Sequence, residues 1–244
     1  MTKTLILIPS RLSAKRLPGK PLLKINNISI ISHVYNNALA TKIGDVFVAT
    51  EDIEIIDDIE KNGGKAILTS KHHKTGTDRI FEAYKKLNLP GVNYILNLQG
   101  DEPIINSDDV IRLNEKITKS NFDMGTLGCR INDKSNFVNE NIVKVKTKEV
   151  LDEKNYSKAI KFFRKINDHN ENNLYKHLGI YIYKVEILEK IVSLQQTENE
   201  KKNKLEQLRA LENNIDICTV LAERDSISVD TKEDYVKIKT IMEK

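Results

Sequence analysis

The chain has 244 residues, 39% apolar and 30% charged, enough for one large α/β domain or one domain with a small appendage. Its 39 basic and 35 acidic residues leave a diffuse net charge of +4, which excludes the concentrated patch that nucleic-acid binding requires. No apolar run is long enough for a membrane span, and the N-terminus lacks the regions of a signal peptide. Cys129 and Cys218 have no metal-binding spacing and read as small core residues, so a reducing, cytoplasmic setting is expected.

The first element is an apolar run, residues 5–8, with the character of a buried parallel strand bounded by Pro9. A loop follows that carries Arg11, Lys15, Arg16 and Lys20 and is stiffened by Pro9, Pro18 and Gly19. A strand feeding such a loop at the carboxyl edge of a parallel sheet is where α/β proteins place ligands. Guanidinium forks and an ammonium match phosphate oxygens, so a triphosphate is the natural partner. Neither a G-x-x-x-x-G-K-[ST] loop nor a G-x-G-x-x-G turn is present.

Strand and helix patterns then alternate, which argues for βαβ units and a mostly parallel sheet. Asn26-Asn27 makes a turn, and Ile30, Ile31, Val34, Tyr35 and Ala38 share one face of a helix. Residues 46–50 form a second buried strand ending in Glu51-Asp52, residues 53–61 a helix closed by Gly63-Gly64, and residues 65–68 a third strand. Thr75-Gly76-Thr77-Asp78-Arg79 opens a helix with Ile80, Ala83, Tyr84 and Leu87 inward, and Thr77 is expected as its N-cap. His72 and His73 read as exposed loop residues. Residues 93–98 form a core strand running into Gln99-Gly100-Asp101-Glu102-Pro103. A carboxylate at the end of a central strand, facing a triphosphate loop, is a natural Mg²⁺ ligand.

In the second half, residues 124–130 and 141–146 are expected as antiparallel strands, and residues 152–174 are polar without strong periodicity. Residues 175–183 alternate, which puts Tyr175, His177, Tyr181 and Tyr183 on one strand face. Residues 193–204 look like a solvated, charged connector. Residues 205–212 form an amphipathic helix with Leu205, Leu208 and Leu211 in register, and residues 215–222 form the last strand. Asp230, with Glu233 three residues on, is expected to cap the terminal helix.

At these residues the chain resembles the 3-deoxy-manno-octulosonate (Kdo) cytidylyltransferase family, which activates acidic sugars. That family opens with P-[AS]-R-x-x-S-x-R-[LF]-P-G-K-P-L, matched here at Pro9, Arg11 and the run from Arg16 to Leu22, with Ala14 in place of the serine. Its S-G-T-[DE]-R is present from Thr75 to Arg79 with Thr75 for serine, and its N-[VL]-Q-G-D-E-P from Asn97 to Pro103 without a change. The H-[LI]-G-[IV]-Y and L-E-Q-L-R segments follow at residues 177–181 and 205–209, and V-D-T-P-E-D at residues 229–234 with Lys232 for proline. Where the family has F-S-R-x-x-I-P, residues 162–167 keep Phe162 and Arg164 but not the serine or the proline.

The resemblance implies an α/β fold: a mostly parallel Rossmann-like nucleotidyltransferase sheet with helices on both faces and a small antiparallel lobe in the second half. A nucleotide-binding core would span residues 1–122, a sugar-binding and dimerisation lobe 123–225, and a terminal helix, 226–244, would return to the core. The implied reaction is Mg²⁺-dependent transfer of CMP from CTP to the anomeric hydroxyl of Kdo, releasing pyrophosphate and giving CMP-Kdo for lipopolysaccharide synthesis. The nucleotide side would comprise Pro9, Ser10, Arg11, Arg16, Lys20, Thr75, Gly76, Thr77, Arg79, Gln99 and Asp101. The sugar side would comprise Gln99, Arg164, His177, Tyr181, Glu206 and Gln207. Asp101 and Asp230 would hold the metal and, with Arg11 and Lys20, carry the catalysis. A homodimer is implied as well. Two other readings stay open here: a cytidylyltransferase for 8-amino Kdo or a sialic-acid-like nonulosonate, and a catalytically silent nucleotide- or sugar-binding protein.

Overall fold

A computed structural model describes residues 3–14, 16–133, 135–165 and 173–243; Lys15, Ile166 and Asn167 of the sequence reading lie outside them. The chain divides into two compact units, Met1–Asp108 with Ser226–Lys244, and Asp109–Asp225.

In the first unit, β1 (Lys3–Ser10) is buried from Thr4 to Ile8, as a strand covered on both faces must be. The strand takes in Pro9 and Ser10, so the basic loop starts at Arg11. A hairpin follows, β2 (Lys24–Ile25) and β3 (Ile28–Ser29), turned by Asn26 and Asn27 at φ 49° and 64°, a left-handed backbone that asparagine tolerates. Next, α1 (Ile30–Ala40) is capped by the Ser29 hydroxyl and buries Ile30, Ile31, Val34, Tyr35 and Ala38, the face that the periodicity predicts. β4 (Val46–Thr50) leads into α2 (Ile53–Lys61), which ends where Gly63 turns to φ 77° and the Gly64 N–H reaches Ile59 O. β5 (Ala66–Leu68), α3 (Gly76–Leu87) and β6 (Val92–Asn97) complete the first pass. The order β5-β4-β1-β6 has every neighbour parallel.

Thr75, not Thr77, caps α3: its hydroxyl oxygen accepts from Asp78 N–H and its O–H donates to Asp78 Oδ2 at 2.8 Å. Thr77 lies inside the first turn and is buried.

The second unit begins in α4 (Ser107–Thr118) and continues through β7 (Met124–Arg130), α5 (Ser135–Val138), β8 (Lys144–Thr147), β9 (Ser157–Phe163) and β10 (Leu174–Lys184). α6 (Val185–Ser193), α7 (Glu198–Asn203), α8 (Gln207–Glu212) and β11 (Ile217–Ala222) follow. Its strands run β10-β7-β11-β9-β8, and β8 also pairs with the start of β10, so the five close on themselves. The lobe is mixed rather than antiparallel throughout, because β7 and β11 are parallel. β9 lies inside the polar segment 152–174, where Ser157, Ala159 and Phe162 turn inward while Lys158, Ile160 and Lys161 face out. Cys129 and Cys218 are buried and free, as expected.

One expectation fails because of a partner outside the segment. Residues 193–204 are not a solvated connector, since they include α7 with a capping box between Thr197 and Glu200. Glu200 is only 2% exposed and takes a two-pronged bond from Arg209, Nε to Oε2 at 2.9 Å and Nη2 to Oε1 at 2.6 Å. Arg209 Nη1 also donates to Ile191 O at 3.3 Å, so one guanidinium ties α6, α7 and α8 together. These last two helices have six residues each, too few to be stable alone.

The chain ends in α9 (Lys232–Met242), back in the first unit. Its N-cap is Thr231 with Asp234 as the capping-box partner, one residue later than the expected Asp230 and Glu233. Val229 and Ile238 pack against Ile25 and Ile30, with Leu17, Leu23 and Ile104 around them.

Removing one partner of a buried ion pair leaves an uncompensated charge. Glu200→Ala is expected to cost about 3–5 kcal/mol, read as a lower urea midpoint in equilibrium unfolding. An unchanged midpoint would show that the three helices do not depend on Arg209.

Candidate active site

The basic loop is shaped by backbone bonds rather than by its charges. Asp52 Oδ2 accepts from Leu12 N–H at 2.7 Å, and Gly19 N–H reaches back to Leu12 O at 3.0 Å. Gly19 closes this loop at φ 71°, a conformation that glycine adopts without strain, and Lys20–Leu22 forms a single 3-10 turn. Arg11 and Arg16 are exposed, whereas Lys20 is half-buried.

Lys20 is where the first unit converges. Its ammonium donates to Asp101 Oδ2 at 2.5 Å and to Asp230 Oδ1 at 3.2 Å, while Arg16 Nη2 lies 2.9 Å from Asp230 Oδ2. Burial alone would discharge the amine, but the two carboxylates outweigh it and hold its pKa above the usual lysine value. Asp101 follows β6, and Asp230 arrives from the far end of the chain. Val229 N–H donates to Asp101 O at 2.8 Å, and Ser226 Oγ donates to buried Glu102 at 2.6 Å. Because Thr231 caps α9, the Asp230 carboxylate is left to meet the cations. Two carboxylates on one cation form the charged centre, and among the described residues no cluster of three or more metal-ligating side chains occurs.

Pro9 packs between the other two motifs. A Cβ on Gly76 would lie 3.3 Å from Pro9 Cγ, and one on Gly100 only 2.9 Å from Pro9 O. The start of α3 and the turn before Asp101 are thereby held against the end of β1, with Ser10 buried and Gln99 half-buried beside them. Arg79 is committed elsewhere: it is 4% exposed and bonds Glu51 Oε2 at 2.5 Å, Thr69 Oγ1 at 2.6 Å and Ser70 O at 3.4 Å. It anchors α3, and Thr75 caps it. His73 is half-buried against Glu82 rather than exposed, and His72 is exposed.

The expected sugar-side residues other than Gln99 lie in the second unit. Phe162, His177, Tyr181 and Tyr183 form a row of rings with centroids 5.1, 5.4 and 5.9 Å apart. Burial holds the His177 pKa down to about 3, and burial, with Tyr183 and the Glu206 carboxylate adding to it, pushes the Tyr181 hydroxyl well above its usual value. Both are therefore neutral at pH 7. The Tyr181 hydroxyl and Gln207 Nε2 are buried without a hydrogen-bond partner among the described residues, which in a folded interior marks a place for a ligand or water. Arg164 differs: its guanidinium donates to the carbonyls of Asn203, Glu140 and Lys204 at 2.9, 3.2 and 3.3 Å. It fastens the end of α7 with three of its five N–H donors, and one N–H on each of Nη1 and Nη2 remains.

Comparison with known proteins places this geometry. A family profile described as Cytidylyltransferase matches residues 5–217. The 3-deoxy-manno-octulosonate cytidylyltransferase of Thermodesulfovibrio yellowstonii is 44% identical over 95% of this chain and 94% of its own. The enzyme of that name from Rickettsia typhi is 41% identical over 95% and 94%. The chain belongs to the 3-deoxy-manno-octulosonate cytidylyltransferase family. A solved CMP:2-keto-3-deoxy-manno-octonic acid synthetase in complex with CTP is similar in structure, with a TM-score of 0.88, 33% identity and 99% of each chain covered. It is an α/β nucleotidyltransferase fold with a mixed sheet.

Within this cytidylyltransferase the sequence reading missed the residues that hold the site rather than form it. Asp52 was visible only as an acidic pair, and Glu102 only as part of a turn, because their partners Leu12 and Ser226 are far away in sequence. Thr126 of β7, whose Oγ1 lies 3.0 Å from His177 Nε2, carries no signal in the sequence.

The contacts of Gly100 and Gly76 separate two substitutions. Gly100→Ala drives a methyl into a backbone carbonyl and is expected to cost about 1–3 kcal/mol in urea unfolding. Gly76→Ala meets only the edge of the Pro9 ring and should stay within about 1 kcal/mol of the parent. Equal effects would mean that the Pro9 contact does not set the turn before Asp101.

Proposed function

We propose that this chain transfers CMP from CTP to the anomeric hydroxyl of 3-deoxy-D-manno-octulosonate, releasing pyrophosphate. The observation that carries the reading is the Lys20 ammonium held between Asp101 and Asp230 beside Arg16, at the carboxyl end of a parallel sheet. It joins the likeness of the whole chain to relatives that bear that enzyme's name.

In this reading Arg11, Arg16 and Lys20 take the triphosphate, and Arg11, exposed and without a carboxylate partner among the described residues, offers its guanidinium. The turns around Gly76 and Gly100, together with Thr75, Thr77 and Gln99, shape the nucleoside end, and Arg79 stiffens it. Asp101 and Asp230 bring two carboxylates to one cation position, already filled by an ammonium, and an all-oxygen donor pair completed by phosphate oxygens suits Mg²⁺. Bound there, Mg²⁺ would neutralise the phosphate charge and lower the pKa of the attacking hydroxyl. The chain's own task is to orient and to stabilise charge: Lys20, once off the carboxylates, and the two arginines face the charge of the leaving pyrophosphate. His177, Tyr181, Glu206 and Gln207 receive the sugar acid, as uncharged or acidic groups suited to hydroxyls. No protein nucleophile is needed. We further take the active form to be a cytoplasmic homodimer. Buried, unoxidised Cys129 and Cys218 suit that compartment, and no described helix is long and apolar enough to cross a membrane. A light-scattering mass of one chain would reject the dimer.

The test is Mg²⁺-dependent pyrophosphate release from CTP with Kdo, 8-amino Kdo and a sialic acid in parallel. Release with Kdo is expected; release only with another acid would move the specificity, and CTP binding without release would favour a silent binder. Asp101→Ala and Asp230→Ala should each lower kcat by at least about a hundredfold while CTP affinity, by calorimetry, changes far less. A near-normal kcat in either variant removes that residue from the mechanism. Arg11→Ala should raise KM for CTP by about ten- to a hundredfold, the worth of a charge-assisted hydrogen bond.

A further inference from the structure

The hydrogen bonds around Thr126 assign a proton that no side chain there carries visibly. Thr126, buried in β7, has its Oγ1 2.7 Å from Ile180 O, 3.2 Å from Leu178 O and 3.0 Å from His177 Nε2. These contacts exist because β10 slips in register between Leu178 and Tyr181, so that both carbonyls turn toward one threonine. A hydroxyl has one proton and two lone pairs. Carbonyl oxygens only accept, and two oxygens at 2.7 Å with no proton between them repel, so the Thr126 proton goes to Ile180 O. Thr126 Oγ1 must then accept from His177, whose proton therefore sits on Nε2.

We infer that Thr126 and the irregularity of β10 lock His177 as the neutral Nε2–H tautomer, so that Nδ1 is presented as a hydrogen-bond acceptor to a hydroxyl of the bound sugar. Thr126 is on this account a positioning residue, and the second half of the inference rests on the sugar-acid reading given above. No described residue donates to Nδ1. Phe162 and Tyr181 flank the ring at centroid distances of 5.1 and 5.4 Å, which restricts rotation of the imidazole out of this orientation. Burial, which holds the ring neutral, keeps the second nitrogen unprotonated at working pH. An acceptor fixed in this way favours a hydroxyl over a carboxylate or phosphate oxygen, neither of which has a proton to give. In the same unit Gln207 Nε2 is a buried donor without a hydrogen-bond partner among the described residues, a complementary group for a polyhydroxylated substrate.

Long-range ¹⁵N–¹H correlation spectra of the full-length, ¹⁵N-labelled protein read the tautomer directly, with the His177 signals identified by their loss in His177→Gln. At neutral pH without ligand the expected pattern is a protonated Nε2 and an unprotonated Nδ1. Addition of Kdo should shift the Nδ1 resonance as it accepts a hydrogen bond. A protonated Nδ1 in the unliganded protein would overturn the inference whatever the substrate, and so would saturating Kdo, checked by calorimetry, that leaves Nδ1 unmoved. Thr126→Val should lose the single-tautomer pattern and raise KM for the sugar acid roughly tenfold, with KM for CTP unchanged, and Thr126→Ser should restore both. Retention of the pattern in a folded Thr126→Val variant would overturn the role of Thr126. The unliganded spectrum needs no sugar, so failure of the wild type to turn over Kdo would count against the proposed reaction separately from the tautomer.

Discussion

Two carboxylates brought within reach of each other demand a cation, and the first unit is built around that demand. Asp101 leaves the end of β6 and Asp230 precedes α9, and their charges meet at Lys20. Each of the three needs its own mechanical support. Asp52 and Gly19 close the loop that delivers Lys20, the bond from Val229 N–H to Asp101 O aligns the returning chain, and Ser226 on Glu102 adds a second tie. The apolar residues beneath, Ile25, Ile30, Val229 and Ile238, make the return of the C-terminal segment favourable by burial. Folding energy thus goes into holding like charges together, and the ammonium between them makes that arrangement tolerable before any ligand arrives.

This dependence explains why one cap position matters more than its energy. A capping side chain accepts a backbone N–H and is turned toward its own helix. Had Asp230 capped α9, its carboxylate would face the helix start. With Thr231 capping instead and Asp234 completing the box, Asp230 stands one residue ahead and meets Lys20 and Arg16. At α3 the same shift, from Thr77 to Thr75, lets Gly76 become the first helical residue and lie against Pro9. Both helix starts present side chains or backbone to the site because the cap lies where it does.

The sequence made legible whatever depends on near neighbours. The buried face of α1, the extent of β4 and α2, and the turn at Asn26-Asn27 follow from periodicity and local backbone preference, and the structure agrees, with Ser32 of α1 buried in addition. Caps were missed by one or two positions because threonine and aspartate compete for the same role within a few residues, and only the backbone angles decide. α7 looks like a connector in the sequence because Glu200 is one charge among many until Arg209, nine residues on, removes it from water. β9 was missed because its outward face is lysine-rich and a strand with one wet face has little apolar signal. For the site itself, the motif residues were found by resemblance. Arg79 and Arg164 add what a motif does not show, that an arginine in it also bonds carboxylates and carbonyls of its own chain.

The two units differ in the kind of polarity they offer, and that difference follows from burial. Around Lys20 the charges are partly solvated and balanced, so full charges survive and suit a polyanion. Around His177 the surroundings are aromatic and mostly buried, so His177 and Tyr181 are pushed to their neutral forms and offer uncharged donors and acceptors. A mostly buried site of that sort is discriminating for a physical reason. A substrate hydroxyl that pairs with a buried atom replaces a bond to water at little net gain, whereas an analogue lacking it leaves that atom unsatisfied at about 1–3 kcal/mol, near ten- to a hundredfold in affinity. Selection among acidic sugars would therefore come less from attraction to the right hydroxyls than from the cost of meeting the wrong ones.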